Sequence, residues 1–164
     1  MQPLTETEIR SSLVNASAGE AARMTLPGLH EVIWDEREYL GWRDSRFPQR
    51  AYIVLWREGR PVGMMLRAAD NRMRPGMTAI CSICQTPRPA GQVSMFSAPR
   101  AGESGRDGNT IGTYICTDLS CSLTVRIAPP AHDMQPDPAE VVERRIATLR
   151  TRLAAFTDNV LAAG

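Results

Sequence analysis

Four cysteines in two close pairs constrain the fold of this 164-residue chain more than any other feature. They are arranged as Cys81-x2-Cys84 and Cys116-x4-Cys121, with a long insert between the pairs. The N-terminus, MQPLTETEIR, carries acidic residues where a secretory signal needs a basic start and an apolar stretch. No apolar run approaches the roughly 20 residues that span a bilayer. We therefore expect a cytoplasmic protein in which the cysteines are not joined as disulfides.

Cysteines at these spacings are typical of a tetrahedral metal site, because each close pair can supply two of four thiolate ligands. The segment Ala79-Ile-Cys-Ser-Ile-Cys-Gln85 resembles a zinc knuckle, in which backbone amides can donate to the sulfurs. Asp118 is a candidate N-cap that would place Cys121 in the first turn of a helix, where the helix dipole favours a thiolate. Four sulfur ligands fill the coordination sphere, which indicates one structural Zn²⁺. A redox CxxC site is a weaker alternative because no βαβ pattern surrounds it, and iron stays open beside the favoured zinc.

Two β-hairpins are predicted around the cysteines. The β-prone run 51–56 is followed by a Gly/Pro turn at 58–61 and a second apolar run at 62–67. A second hairpin has predicted arms 92–98 and 110–116, and its glycine-rich polar connection is expected to be mobile. Knuckle, hairpin and a helix that supplies the last ligand follow one another in the order of a treble-clef zinc finger.

Helices are predicted at both ends of the chain. Thr5-x-x-Glu8 and Ser17-x-x-Glu20 have capping-box spacing, which predicts two short helices, the second ending near Leu26. A third helical stretch is predicted over 29–42. Asp137-Pro138 is a typical helix start. An apolar stripe beyond it is expected to pack on the N-terminal helices, with a coiled coil with a partner as the weaker alternative. The stripe consists of Val142, Ile146, Leu149, Leu153, Phe156 and Val160.

These elements together predict an α+β fold, in which a treble-clef zinc finger with β-hairpins packs with short N-terminal helices and a long C-terminal helix. The predicted organisation has three parts. Residues 1–46 form an N-terminal helical segment, residues 47–128 the zinc-finger domain, and residues 129–164 a linker with the C-terminal helix.

The charge distribution limits the possible partners. The net charge is only +1, and all 19 basic residues are arginine. Residues 60–128 contain eight arginines and four acidic residues, an excess of +4 around the cysteines. A nucleic-acid-binding zinc finger that contacts phosphates through this segment therefore remains an alternative to a protein-binding module. The sequence has no P-loop, zincin motif or nucleophile–base set, so we do not expect an enzyme.

The cysteine region resembles a known family. Its segments are Ser94-Met-Phe-Ser-Ala-Pro-Arg-Ala-Gly102, Gly105-Arg-Asp-Gly-Asn-Thr-Ile-Gly-Thr-Tyr-Ile-Cys116 and Asp118-Leu-Ser-Cys121. They resemble the C-terminal treble-clef zinc-finger domain of the elongation factor G-binding proteins, the FusB-type or FBP-domain family associated with fusidic acid resistance. The resemblance implies a non-enzymatic partner of translation that binds elongation factor G and promotes its release from the ribosome, with direct nucleic-acid contact secondary.

Four residues of the second hairpin are candidates for contact with this partner. Arg100 and Arg106 flank the predicted loop, and Phe96 and Tyr114 are expected to face each other on the two arms. Aromatic and arginine side chains often dominate protein interfaces. A core role for the aromatic residues and a solvated role for the arginines stay open.

Overall fold

The computed structural model describes residues 1–70, 76–132, 134 and 136–162. The strands are β1 (Leu40–Arg43), β2 (Arg50–Arg57), β3 (Arg60–Ala68), β4 (Thr78–Ile80), β5 (Pro87–Pro89), β6 (Val93–Pro99) and β7 (Thr110–Cys116). Five of them form a central antiparallel sheet in the order β1-β2-β3-β6-β7, and β4 and β5 form a separate two-stranded ribbon. The α-helices are α1 (Glu6–Ser11), α2 (Ala18–Arg23), α3 (Gly102–Arg106), α4 (Cys121–Val125) and α5 (Pro138–Leu161). Among the described residues, none of these helices combines the length and apolar character that crossing a bilayer requires.

Both predicted hairpins are present. β2 and β3 pair along their whole length from Arg50↔Arg67 to Arg57↔Arg60, so a two-residue turn joins them. β6 pairs with β7, but their connection is not the open loop that the sequence predicts, because it contains α3. Gly105 allows this compact turn, since a Cβ there would lie 1.8 Å from the carbonyl oxygen of Arg100.

The capping boxes are confirmed in α1 and α2, whereas the helix predicted over 29–42 is wrong. Two 3₁₀ turns, Leu29–Glu31 and Trp34–Glu36, precede β1 there. In β1 Leu40 and Trp42 are buried alternately with half-buried residues, and the strand pairs with β2. Sheet pairing and period-two burial thus override the apolar residues that suggested a helix. Helix α2 also ends at Arg23, three residues earlier than predicted.

The sheet separates two hydrophobic layers, so residues 51–55 of β2 are all buried. Tyr52 and Val54 belong to a layer with the N-terminal segment. Ala51, Ile53 and Leu55 belong to the other layer, which contains the cysteines and the apolar face of α5. The predicted packing of α5 on the N-terminal helices is therefore wrong, because its stripe covers the cysteine side of the sheet. The linker that precedes α5 includes residues 133 and 135, which lie outside the described residues, as do residues 163 and 164 at the end of the chain.

The side chain of Asn15 joins β3 to β6 where these strands diverge. The two strands pair only at Arg67↔Ser97 and Ala68↔Phe96. Beyond this point Asn15 Oδ1 accepts from Met65 N at 2.8 Å, and its Nδ2 donates to Met65 O at 3.0 Å and Pro99 O at 2.8 Å. One amide side chain therefore satisfies backbone groups of both strands.

We predict that Asn15→Ala lowers the free energy of unfolding by about 2 kcal/mol, because it leaves half-buried backbone groups without partners. The measurement is equilibrium urea unfolding of zinc-loaded protein. Asn109→Ala is the matched control, since the amide of Asn109 donates to Ser104 Oγ at an exposed site. Equal stabilities of the two variants would contradict the bridging role.

The carboxylate of Asp44 organises the connection between β1 and β2. It is 1% exposed and accepts hydrogen bonds from Thr25 N at 3.0 Å, Arg46 N at 2.9 Å and Phe47 N at 3.1 Å. Burial alone raises the pKa of Asp44, but the amide donors outweigh it and hold this pKa below its usual value of 3.8.

The lowered pKa of Asp44 predicts a stability term that is present above about pH 4 and is lost as the pH falls through the folded-state pKa. We expect Asp44→Asn to destabilise the protein by about 2 kcal/mol at pH 7, because its amide directs N–H groups at backbone donors. The difference between wild type and variant should shrink between pH 5 and pH 2 in urea unfolding. Asp35→Asn, at an exposed site, is the matched control and should change the free energy of unfolding much less than Asp44→Asn at pH 7.

Candidate metal centre

The fold brings the four cysteines into one buried cluster. Their Sγ atoms all lie within 4.8 Å of one another, and each of the four residues is buried. Cys81 Sγ lies 3.6 Å from Cys121 Sγ, and Cys84 Sγ lies 3.7 Å from Cys116 Sγ. Four sulfurs bound tetrahedrally at about 2.3 Å from a zinc ion would be about 3.8 Å apart. The observed spacing fits that geometry.

The first pair lies in a tight turn after β4. Gln85 N donates to the carbonyl of Cys81 at 2.9 Å, and Gln85 adopts a positive φ of 56°. Cys84 N points at Cys81 Sγ at 3.5 Å, which is the amide-to-sulfur contact that a knuckle predicts. Both sulfurs consequently face the same side of the turn.

The second pair joins the end of β7 to the start of α4. Cys116 is the last residue of β7 and Cys121 the first of α4. The prediction that Asp118 is the N-cap is wrong, because Ser120 occupies that position. The Asp118 carboxylate instead accepts from Ser120 N at 3.1 Å and Ser120 Oγ at 2.7 Å, which holds the turn before the helix. Knuckle, β6–β7 hairpin and α4 form the treble clef that the sequence predicts.

The thiols affect one another's protonation. Hydrogen bonds from Cys116 and then Cys121 lower the pKa of Cys81 to about 7. The pKa of Cys121 is raised well above its usual value, first by its hydrogen bond to Cys116 and also by burial. Four thiolates this close repel one another in a buried site, and a divalent cation offsets that charge. A wholly sulfur, buried donor set fits one structural Zn²⁺, held by Cys81, Cys84, Cys116 and Cys121.

Side chains from the segment before β1 hold the second half of the site in place. Glu38 has a side chain only 1% exposed and forms a two-point ion pair with Arg126 at 2.7 and 2.8 Å. Next to it, Tyr39 donates its hydroxyl to Leu119 O at 2.8 Å, within the turn between Cys116 and Cys121. Sequence reasoning missed these residues, because the partners lie 80 or more positions apart and share no local pattern.

The candidate partner-binding residues occupy different environments. Phe96 is fully buried beneath the guanidinium of Arg43, which lies 5.5 Å from the ring centroid. Phe96 pairs with Thr113, and Tyr114 pairs with Met95, so the predicted facing of Phe96 and Tyr114 is wrong. A ring enclosed in the core is not available to a partner, which removes Phe96 from the candidates.

The other three candidates lie at the surface or near it. Tyr114 is 42% exposed. Arg106 is exposed on α3. Arg100 Nη1 donates to the carbonyl of Asn159 at 2.7 Å and is 3.4 Å from that of Ala162, so its guanidinium binds the C-terminal end of α5. Partner binding by Tyr114, Arg100 and Arg106 stays a prediction.

Comparison with known proteins gives one family match. The model described as the FBP C-terminal treble-clef zinc-finger matches residues 8–160. The solved structure of the fusidic acid resistance protein FusC is similar, with a TM-score of 0.48 and 24% identity. That similarity covers 61% of this chain and 44% of the FusC chain, so less than half of FusC is matched. The search of curated proteins found no significant match.

We predict one zinc ion per chain and a large loss of stability when it is removed. Binding at four-cysteine sites contributes on the order of 10–16 kcal/mol, as much as the whole stability of a typical domain. Metal analysis should give one equivalent of zinc per chain for wild type. Chelation should reduce the secondary-structure signal in circular dichroism, because the cysteine side of the sheet unfolds. Cys84→Ser should reproduce the loss, while Ser82→Ala within the same turn should retain the metal. An unchanged melting temperature after complete removal of zinc would contradict this role.

Proposed function

Because the chain belongs to the FBP C-terminal treble-clef zinc-finger family, we propose that it is a zinc-stabilised module that binds elongation factor G and promotes release of that factor from the ribosome. The sequence resemblance described above supports this partner. The zinc ion in this role is structural, because four sulfur ligands leave it no open position for substrate, and the proposed activity is binding rather than catalysis. Its place of action is the cytoplasm, on ribosomes that include those stalled by fusidic acid.

The observation that carries the proposal is exposed apolar surface next to the metal centre. Ile80, immediately before the first ligand, is 57% exposed, and Tyr114 on β7 is 42% exposed. Ser82 N donates to Tyr114 O at 2.8 Å, so the knuckle lies directly against β7. We call the surface formed by Ile80, Ser82 and Tyr114 the knuckle face. Large exposed apolar side chains together with a tyrosine are typical of protein-binding surfaces.

The metal would contribute to binding by fixing this surface. Ser82 lies between two of the zinc ligands, so its position relative to β7 depends on the geometry of the site. Elongation factor G would then bind a rigid knuckle face, and little side-chain or loop entropy would be lost on association. Binding of the factor should consequently depend on zinc even though the metal does not touch it.

We predict that purified zinc-loaded protein captures elongation factor G, and that Tyr114→Ala and Ile80→Ser each weaken the affinity about tenfold or more. Loss of a central interface anchor typically costs about 2 kcal/mol or more. Isothermal titration calorimetry measures the affinity. Ile33→Ser is the matched control, because Ile33 is 60% exposed and lies outside the knuckle face.

The outcomes test the partner and the binding surface separately. Failure of the zinc-loaded wild type to bind elongation factor G would overturn the proposed function. Binding that is equally strong in Tyr114→Ala, Ile80→Ser and Ile33→Ser would leave the partner in place and reject the knuckle face. A sedimentation assay of ribosome-bound factor, with and without fusidic acid, then measures release.

A further inference from the structure

A cleft of about 390 Å³ lies where three parts of the chain meet, and none of the four cysteines lines it. Its walls come from the connection between α1 and α2, the C-terminal ends of β3 and β6, and α3. Three arginines line it, Arg67, Arg100 and Arg106, against a single acidic residue, Glu20. We call it the arginine cleft.

The positive charge of this region is only partly balanced within the chain, since Glu20 is the one carboxylate that interacts with Arg50 and Arg67 among the residues lining the cleft. Arg67 lies directly opposite Arg50 in the β2–β3 register, and like charges at such positions repel. Glu20 Oε2 accepts from both Ser17 N and Ser17 Oγ at 2.9 Å, so it is also engaged in the capping box of α2. Among the described residues, the guanidinium groups of Arg67 and Arg106 have no carboxylate oxygen within 4.0 Å.

The walls of the cleft are held in place by contacts that are already made. Arg100 is fixed by its hydrogen bonds to the end of α5. Asn15 ties the β3 wall to the β6 wall through Met65 and Pro99. Gly105 lets α3 pack against the backbone of Arg100, which places the neighbouring Arg106 at the rim. A ligand would therefore bind without ordering these segments first.

We propose that the arginine cleft binds a phosphate group. Guanidinium groups match phosphate oxygens in a two-point geometry and bind them more selectively than a lysine does. None of the described residues that line the cleft is aromatic, so a base has no ring on which to stack. The cleft therefore recognises the phosphate itself, carried either on an RNA backbone or on a small phosphorylated molecule. This inference does not rest on the binding of elongation factor G, although Arg100 and Arg106 are also predicted contacts for that partner.

The test uses full-length zinc-loaded protein in phosphate-free buffer, with pyrophosphate and a single-stranded uridine 12-mer RNA as separate probes. We expect Arg67→Gln and Arg106→Gln each to weaken binding at least fivefold. Arg60→Gln, at the exposed β2–β3 turn, is the matched control and should bind as wild type does. For the RNA, each cleft variant should also reduce the slope of log affinity against log salt by about 0.7, the value for one lost phosphate contact.

Each outcome is decisive. Cleft-dependent binding of both probes, or of either one, supports the proposal; RNA alone assigns the phosphate to a nucleic-acid backbone, and pyrophosphate alone to a small molecule. Absence of binding to both probes overturns it, as does a loss in Arg60→Gln equal to that in the cleft variants. Thermal melting shows that the variants fold, and Arg67→Gln should be no less stable because it removes a like-charge pair. Elongation factor G affinity of the same variants, measured separately, keeps the two proposals distinguishable.

Discussion

The contact among four sulfur atoms joins parts of the chain that would otherwise be far apart. Cys81 and Cys121 lie 3.6 Å from each other although 40 positions separate them. Closing a loop of that size costs roughly 3 kcal/mol of chain entropy, apart from a constant term. Zinc binding at such a site contributes on the order of 10–16 kcal/mol. The metal therefore offsets the cost of joining the knuckle, the β6–β7 hairpin and α4.

The same cysteines are part of the larger hydrophobic layer. All four belong to one contact cluster with buried residues of α5, among them Leu149 and Leu153. The long helix consequently covers the metal centre as well as the sheet, and Arg100 in turn binds its C-terminal end. Metal ligation and apolar packing thus stabilise the same side of the sheet, whereas the N-terminal segment packs on the other side.

Features with a local cause could be predicted from the sequence. The two capping boxes, the β2–β3 turn, the knuckle and the start of α5 each depend on residues within a few positions of one another. The α+β class and the treble clef followed from them. The metal ligands were found in the same way, because their spacing reflects the short turns that carry them.

Features set by distant contacts could not be predicted. Strand β1 forms because β2 is available to pair with it, which overrides the helical pattern over 29–42. The Glu38–Arg126 pair and the bridging by Asn15 each join segments 50 or more positions apart. The packing of α5 on the cysteine side of the sheet likewise depends on tertiary contacts that no local pattern indicates. Asn15 was visible in the sequence only as a polar residue between two short helices, and its strand-joining role exists only in three dimensions.

The N-terminal segment is more than a cover for one face of the sheet. Leu13 forms a parallel bridge to Gly63, where an added Cβ would lie 2.5 Å from Ser12 Oγ, so this contact requires glycine. The connection between α1 and α2, which contains Leu13, also places Asn15 between β3 and β6 and supplies one wall of the arginine cleft. The family match also begins at residue 8, within α1. The N-terminal segment therefore shapes the arginine cleft, because Asn15 joins β3 to β6 where the two strands diverge, whereas the proposed knuckle face lies next to the metal centre.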